Sequence, residues 1–312
     1  MAKNRRISKE ESGDVSVESL RRHVLARLDD ALAQPLGPGL YLVATPIGNL
    51  ADFTLRAIST IARADVVYCE DTRHSRQLLV QYGIDRDLRP FHEHNEDREL
   101  PRVLEEIAAG RAVALISDAG TPLLSDPGFK LVRSAVAAGY RVVSIPGPAA
   151  PLAALTSCGL PTDRFLFAGF LPTKQAARRA RLAELASIKA TLIFFEAPSR
   201  VEAALADMAA MLGSEREAAI ARELTKIHEE VVRGRLGDLA KKSSGEDMRG
   251  EFVLLVGPPA PTEVSDEAIA ARLEQSLAES SVRDASREVA EALGVPKSRV
   301  YDLAVRMTRG RT

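Results

Sequence analysis

The 312-residue chain carries 42 Lys and Arg against 43 Asp and Glu, a formal net charge of -1, so any nucleic-acid contact must come from a local basic patch. Apolar content of 46%, with 4% aromatics and no Trp, marks a globular protein with an aliphatic core, long enough for two domains and an appendage. Two cysteines, Cys69 and Cys158, at no metal or disulfide spacing exclude a disulfide scaffold or zinc module and fit a reducing cytoplasm, and no apolar stretch reaches the length of a membrane span.

Residues 1–38 read as a charged, flexible extension without a signal-peptide core, with a short helix at 24–32 that breaks at Pro35-Leu36-Gly37-Pro38-Gly39. Over 39–148, short apolar runs alternate with helical periodicity. Strands are expected at 40–44, 66–69, 112–117 and 141–145, and helices at 54–64, 75–81, 101–109 and 129–138, with Asp52 or Thr54 capping the first. That alternation predicts an α/β domain with a mainly parallel sheet. A second domain follows over 149–258. It opens with a helix at 149–157, a strand at 165–168, a basic helix at 174–187, a strand at 191–195 and a helix at 200–212. Strands at 217–221, 228–233 and 251–256 are joined without a clear helix, so this sheet is expected to be mixed. Pro258-Pro259-Ala260-Pro261 reads as a linker. The tail over 264–312 is a helical appendage whose segments at 281–292 and 298–307 have a helix-turn-helix rhythm, taken as a docking hairpin with no DNA expected.

Three loops follow strands of the first domain: Thr45-Pro46-Ile47-Gly48-Asn49-Leu50, the stretch from Asp118 to Gly128, and Pro146-Gly147-Pro148-Ala149-Ala150. All belong at strand carboxyl ends, where open α/β sheets bind ligands. None matches a P-loop or a dinucleotide fingerprint, and none carries Lys or Arg, which disfavours a polyphosphate. A ligand with adenine, ribose and amino-acid parts suits such backbone amides and carboxylates.

Glu70-Asp71-Thr72-Arg73 runs directly out of the strand at 66–69. It reads equally as a functional cluster and as a helix cap with a surface ion pair. His92-Glu93-His94-Asn95-Glu96 is a polar loop without metal-ligand spacing. The segment 174–181 holds four cations, Lys174, Arg178, Arg179 and Arg181, and no acid, a candidate contact for an RNA backbone that Lys226, Arg233 and Arg235 extend. Arg299, Arg306, Arg309 and Arg311 form a weaker patch in the tail.

Taken together, Leu42-Val43-Ala44-Thr45-Pro46-Ile47-Gly48-Asn49-Leu50, Glu70-Asp71-Thr72-Arg73, Ser117-Asp118-Ala119-Gly120-Thr121-Pro122, Ser125-Asp126-Pro127-Gly128, Gly169-Phe170-Leu171-Pro172, Arg222-Glu223-Leu224-Thr225-Lys226 and Gly250-Glu251-Phe252-Val253 are specific. On these stretches, from about Gly39 to Gly257, the chain resembles the small-subunit ribosomal RNA 2′-O-methyltransferase I family, within the tetrapyrrole-methylase-like (class III) methyltransferases. The resemblance implies a two-domain α/β fold, with a mainly parallel first sheet and a mixed second sheet, S-adenosylmethionine in the cleft between them, and a homodimer. It implies methylation of a cytidine ribose in the decoding region of 16S ribosomal RNA, with that RNA or the 30S subunit as partner. By position it implies cofactor contacts from Pro46, Asp118, Ala119, Gly120, Leu123, Ser125, Asp126, Pro148, Ala149, Phe195 and Ala197. One departure stands out: the family pattern has Ser and His where this chain has Ala197 and Ser199, so a histidine base at 199 is untenable here.

A ribose hydroxyl is a poor nucleophile until a group accepts its proton. Glu70 or Asp71 is the expected acceptor, with Arg73 orienting a carboxylate or phosphate, Glu196 in reserve, and Lys226 a weaker base that would need a strongly lowered pKa. Fold does not determine substrate, so a tetrapyrrole methyltransferase is the first rival and a non-catalytic RNA-binding ribosome assembly factor the second.

Overall fold

The computed structural model describes residues 16–246, 248–260 and 265–309. The first fifteen residues of the expected extension, Pro261 of the expected linker, Arg311 and the Arg309 side chain lie outside them. Residues up to Pro258 form one compact unit and the remainder a second. No helix of the described residues is long and apolar enough to cross a membrane.

The first unit opens with α1 (Val17–Ala33), which starts seven residues earlier than its apolar spacing suggests because the Ser16 hydroxyl caps it, accepting from Ser19 N at 3.1 Å. Then come β1 (Gly39–Val43), α2 (Leu55–Arg63), β2 (Val66–Cys69), α3 (Thr72–Val80), β3 (Leu88–Pro90), α4 (Glu96–Ala108), β4 (Ala112–Ile116), α5 (Phe129–Ala137) and β5 (Val142–Ile145). The strands pair in the order β3-β2-β4-β1-β5, every pairing parallel. Both faces are covered. Ala112, Ala114 and Ile116 meet Ala57 and Ile61 of α2 and Leu79 of α3, while Val113 and Leu115 meet Val103 of α4 and Leu131 of α5. Burial on both faces explains why these strands read as continuous apolar runs.

Two features of this half differ from the expectation. β3 is a three-residue edge strand ending in a proline, too short and too polar to give a periodic signal. α4 begins at Glu96, not at Pro101. Asn95 holds its start, accepting from His92 N at 2.8 Å and donating to the Pro90 carbonyl at 2.9 Å.

The second half comprises α6 (Ala150–Cys158), β6 (Phe165–Phe170), α7 (Gln175–Leu185), β7 (Thr191–Glu196), α8 (Val201–Leu212), β8 (Glu217–Arg222), β9 (Glu230–Arg235), α9 (Leu236–Lys242) and β10 (Phe252–Val256). Its sheet runs β6-β7-β10-β8-β9, parallel only between β6 and β7, hence mixed. The short helix α9 replaces the helix-free connection expected before β10. Side chains of α7, α8 and α9 fill one face of the sheet, and α6 covers the other. That second core contains an outsider: Ile47, from the loop after β1, is buried in it beside Leu155, Leu224 and Val253.

The second unit is a helical tail of α10 (Asp266–Ser276), α11 (Val282–Leu293) and α12 (Lys297–Arg309). Ile269, Leu273, Val289, Val300 and Ala304 form its core, and Gly294, at φ +64°, takes the left-handed turn between α11 and α12. Arg299, expected in a basic patch, instead binds Asp266 at 2.7 Å and ties α12 to α10.

The basic helix also needs correction. Arg178 of α7 is buried, and its Nε and guanidinium reach Asp207 of α8 at 2.7 and 2.6 Å. Arg179 Nε reaches the other oxygen of Asp207 at 2.6 Å. Burial works to raise the Asp207 pKa, but the two guanidiniums outweigh it and hold the carboxyl below its usual range. Arg178 is therefore a packing residue paired with an acid 29 positions away, which a local count of charges does not see. Removing one partner of a buried pair strands the other charge, a loss of about 3–5 kcal/mol. Urea unfolding of Asp207→Ala should show a loss of that order, whereas Lys174→Ala, exposed just before α7, should leave the midpoint unchanged.

Candidate functional site

β4, β1 and β5 lie side by side, so the loops that leave their carboxyl ends meet. Backbone bonds lace the first two: Thr45 N donates to the Gly120 carbonyl at 2.9 Å and Gly120 N to the Thr45 carbonyl at 3.0 Å. The Thr121 hydroxyl donates to the Pro148 carbonyl at 3.0 Å and joins the third. Gly120 sits at φ +83°, and a Cβ there would stand 3.1 Å from Ile47 Cγ2. Leu123 and Ser125 hold positive φ values of 73° and 71°, a conformation that costs about 1–2 kcal/mol in a non-glycine residue. The strained turn brings Ser125 and Asp126 to the cleft edge.

The cleft between the two sheets has a volume of about 390 Å³. On the first-domain side Glu70, Asp118, Ala119, Gly120, Ser125 and Asp126 line it, together with Ala149 at the start of α6. On the second-domain side stand Phe170, Phe195, Glu196, Ala197, Leu224 and Phe252. No Lys or Arg among the described residues lines it. Among the described residues no group of three or more His, Cys, Asp or Glu side chains is arranged to hold a metal ion.

Three of the acids interact by charge. Burial, then the charges of Asp126 and Asp118, pushes the Glu70 pKa up from 4.5 to about 7. Burial raises Asp126 to about 6 against a hydrogen bond from Ser117, with the Asp118 charge adding to the rise. Asp118 Oδ1 accepts from Asp71 N at 3.2 Å.

Asp71 itself lies outside the cleft lining. Its side chain caps α3, accepting from Arg73 N at 2.8 Å and His74 N at 3.4 Å, and pairs with the exposed Arg73 guanidinium at 3.2 Å. Hydrogen bonds from Arg73 hold this carboxyl below its usual range. The pair is thus a helix cap and a surface ion pair, and the Asp71 carboxylate is already partnered. Glu196 does line the cleft, but its Oε1 accepts from Ala197 N at 2.9 Å and from Arg200 Nε at 2.6 Å. It is a clamped carboxylate within the wall.

Lys226 is corrected as well. Its Nζ binds Glu223 at 2.9 Å and Glu251 at 3.1 Å. Burial lowers its pKa, but the two carboxylates outweigh that and leave it raised, the wrong direction for a base. Its stem presses on Gly48, where a Cβ would collide with Lys226 Cγ, so this lysine packs against the loop after β1.

Of the other expected cofactor contacts, Pro46 is buried outside the lining, Pro148 contributes its carbonyl to Thr121, and Leu123 packs with the core beneath α4 and α5. Ser199 is exposed in a 3-10 turn, and neither it nor His92 lines the cleft. The cleft residues that sequence reasoning missed are mostly apolar or backbone: Ile47, Thr121, Leu124, Phe170, Leu224 and Gly250. Several fall inside the specific motif stretches, the one signal that could have found them.

Residues 39–240 match the family described as Tetrapyrrole (Corrin/Porphyrin) Methylases, and residues 263–308 match the RsmI C-terminal HTH domain. The chain is 54% identical over 271 residues to Ribosomal RNA small subunit methyltransferase I of Mesorhizobium japonicum, covering 86% of this chain and 92% of that protein. It is 46% identical to the protein of that name from Pseudomonas aeruginosa, covering 85% and 96%. Among solved structures it is similar to a diphthine synthase (TM-score 0.55, 18% identity, covering 70% of this chain and 89% of that one). It is also similar to uroporphyrin-III-C-methyltransferase from Thermus thermophilus (TM-score 0.52, 22% identity, covering 70% and 93%). At those identities the likeness is one of fold.

The raised pKa of Glu70 has a stability consequence. The folded protein holds this proton more tightly than the unfolded chain, so stability is lost as pH rises from about 4.5 to about 7. Glu70→Gln should therefore raise Tm above pH 7, and the gain should shrink toward pH 4.5. A pH series of thermal melts checks it.

Proposed function

We propose the reaction from one premise: the chain belongs to the ribosomal RNA small subunit methyltransferase I family. It is an S-adenosylmethionine-dependent methyltransferase acting on small-subunit ribosomal RNA. The acceptor we assign is the 2′-hydroxyl of a cytidine ribose in the decoding region of 16S RNA, with a homodimer as the working form and the cytoplasm as its place.

The observation that carries this reading is Glu70, a carboxyl in the cleft with no cation beside it and a pKa raised to about 7. The cofactor supplies a methyl group made electrophilic by its sulfonium. The cleft suits such a ligand. Its acids and its lack of Lys and Arg favour a cationic group, and Ile47, Phe195 and Val253 give an apolar wall for an adenine. Asp118, Ala119 and Gly120, with Ala149, Phe195 and Ala197 opposite, would hold it. Ser125 and Asp126 would face the nucleoside.

Glu70 then accepts the proton of the 2′-hydroxyl. A base with a pKa near 7 is about half ionised at neutral pH, where it combines availability with driving force. Burial keeps it there first, and the charges of Asp126 and Asp118 add to the rise. The acidic cleft repels phosphate, so the RNA backbone stays on the rim. There Lys174 and the exposed edges of Arg179 and Arg181 would meet it, without Arg178.

Wild-type kcat/KM for 16S RNA should rise with pH through about 7 and level off above it. Glu70→Gln should lower it by roughly a hundredfold or more, with the affinity for S-adenosylhomocysteine preserved. Transfer of labelled methyl to 30S subunits, with mass spectrometry of the nucleosides, measures both. Wild-type turnover by Glu70→Gln would remove it as the base. Label on a tetrapyrrole and none on RNA would overturn the substrate.

A further inference from the structure

We propose that Phe170 is a stacking platform for an extruded nucleobase of the RNA, an inference that rests on the RNA-methylating reading above. Phe170 ends β6, the outer strand of its sheet, and lines the cleft while 54% exposed. Its neighbour Leu171 is buried, so the alternation of the chain turns Phe170 outward. The register of β6 on β7 slips between Phe167 and Gly169. Gly169 takes φ +67°, and a Cβ there would lie 3.3 Å from Ser125 Oγ across the cleft. The bulge thus carries the end of the strand over to the strained loop of the first domain.

The ring is half exposed and rests on a neighbouring aromatic. It tilts against Phe195 at 5.5 Å and 55°, and Phe195 packs edge-on against Phe167 at 4.9 Å. The rest of Phe170 faces solvent at the mouth of a cleft whose acceptor group, Glu70, stands in the opposite wall.

A ribose hydroxyl reaches a partly buried carboxylate only when its nucleotide leaves the stack of its neighbours. The base then loses π contacts that an aromatic side chain can restore, and such stacking needs no phosphate-binding cation. That matches a mouth without Lys or Arg. The alternative occupant of this ring is the adenine of the cofactor, and the two can be separated.

The chain has no Trp, so Phe170→Trp introduces a single indole reporter. Titration with 16S ribosomal RNA in the presence of S-adenosylhomocysteine should quench its fluorescence, and S-adenosylhomocysteine alone should not. Phe170→Ala should raise KM for the RNA by about tenfold or more, with S-adenosylhomocysteine affinity within about twofold by calorimetry. Phe170→Tyr should restore KM, and Phe170→Leu, apolar but without a π face, should not. Quenching by S-adenosylhomocysteine alone, or loss of its affinity in Phe170→Ala, would give the ring to adenine and overturn the proposal. An unchanged KM in Phe170→Ala would do the same. The quench is read without turnover, so it judges Phe170 even if the wild type transfers no methyl to 16S RNA, the result that would overturn the reaction instead.

Discussion

The two halves of the first unit share a side chain. Ile47 leaves the first sheet at the end of β1 and is buried in the core between α6 and the second sheet. Burying an isoleucine of this kind contributes about 1.5–3 kcal/mol, and here that energy holds one domain's loop against the other domain's core. Its flanks are constrained too: Thr45 exchanges backbone bonds with Gly120, and Gly48 is pressed against the Lys226 stem. The cleft exists because this loop is pinned at both ends. Gly120 lies over Ile47, and the loop that begins at Asp118 carries Ser125 and Asp126 to the opening.

Within that frame the electrostatics are one-sided. Burial, then the charges of neighbouring acids (Asp126 and Asp118 for Glu70, Asp118 for Asp126), keeps Glu70 and Asp126 from ionising at their ordinary pH, and among the described residues no cleft-lining cation relieves them. Three cations that flank the lining are already engaged: Arg200 by Glu196, Lys226 by Glu223 and Glu251, and Arg73 by Asp71. A cleft in this state lowers its free energy by taking a cation, which suits a sulfonium cofactor and repels polyphosphate. Stability given up in the free protein is recovered when such a ligand binds.

Local signals in the sequence proved informative about some residues and misleading about others. The cap at Thr54, the runs at 66–69 and 112–116 and the Pro/Gly loops were legible because capping, period and turn chemistry act over a few residues. Asp71 and Arg73 carried two readings of equal local weight, and the backbone donors of α3 decide for the cap. Arg178 looked like part of a solvated stripe because Asp207 lies on the next helix. β3 and α9 escaped notice because elements of three and seven residues hold too few positions to show a period.

The sequence by itself determined the two-sheet α/β plan, the helical tail and the three turns at the strand ends, since these depend on side-chain alternation and backbone conformation. Only the tertiary structure decided which carboxylates share the cleft. Glu70, Asp118 and Asp126 are far apart in the chain yet share one partly desolvated cleft, while Asp71, adjacent to Glu70, is saturated by a helix terminus. Ionisation and pairing follow burial and distance in space, and neither is written in the neighbours along the chain.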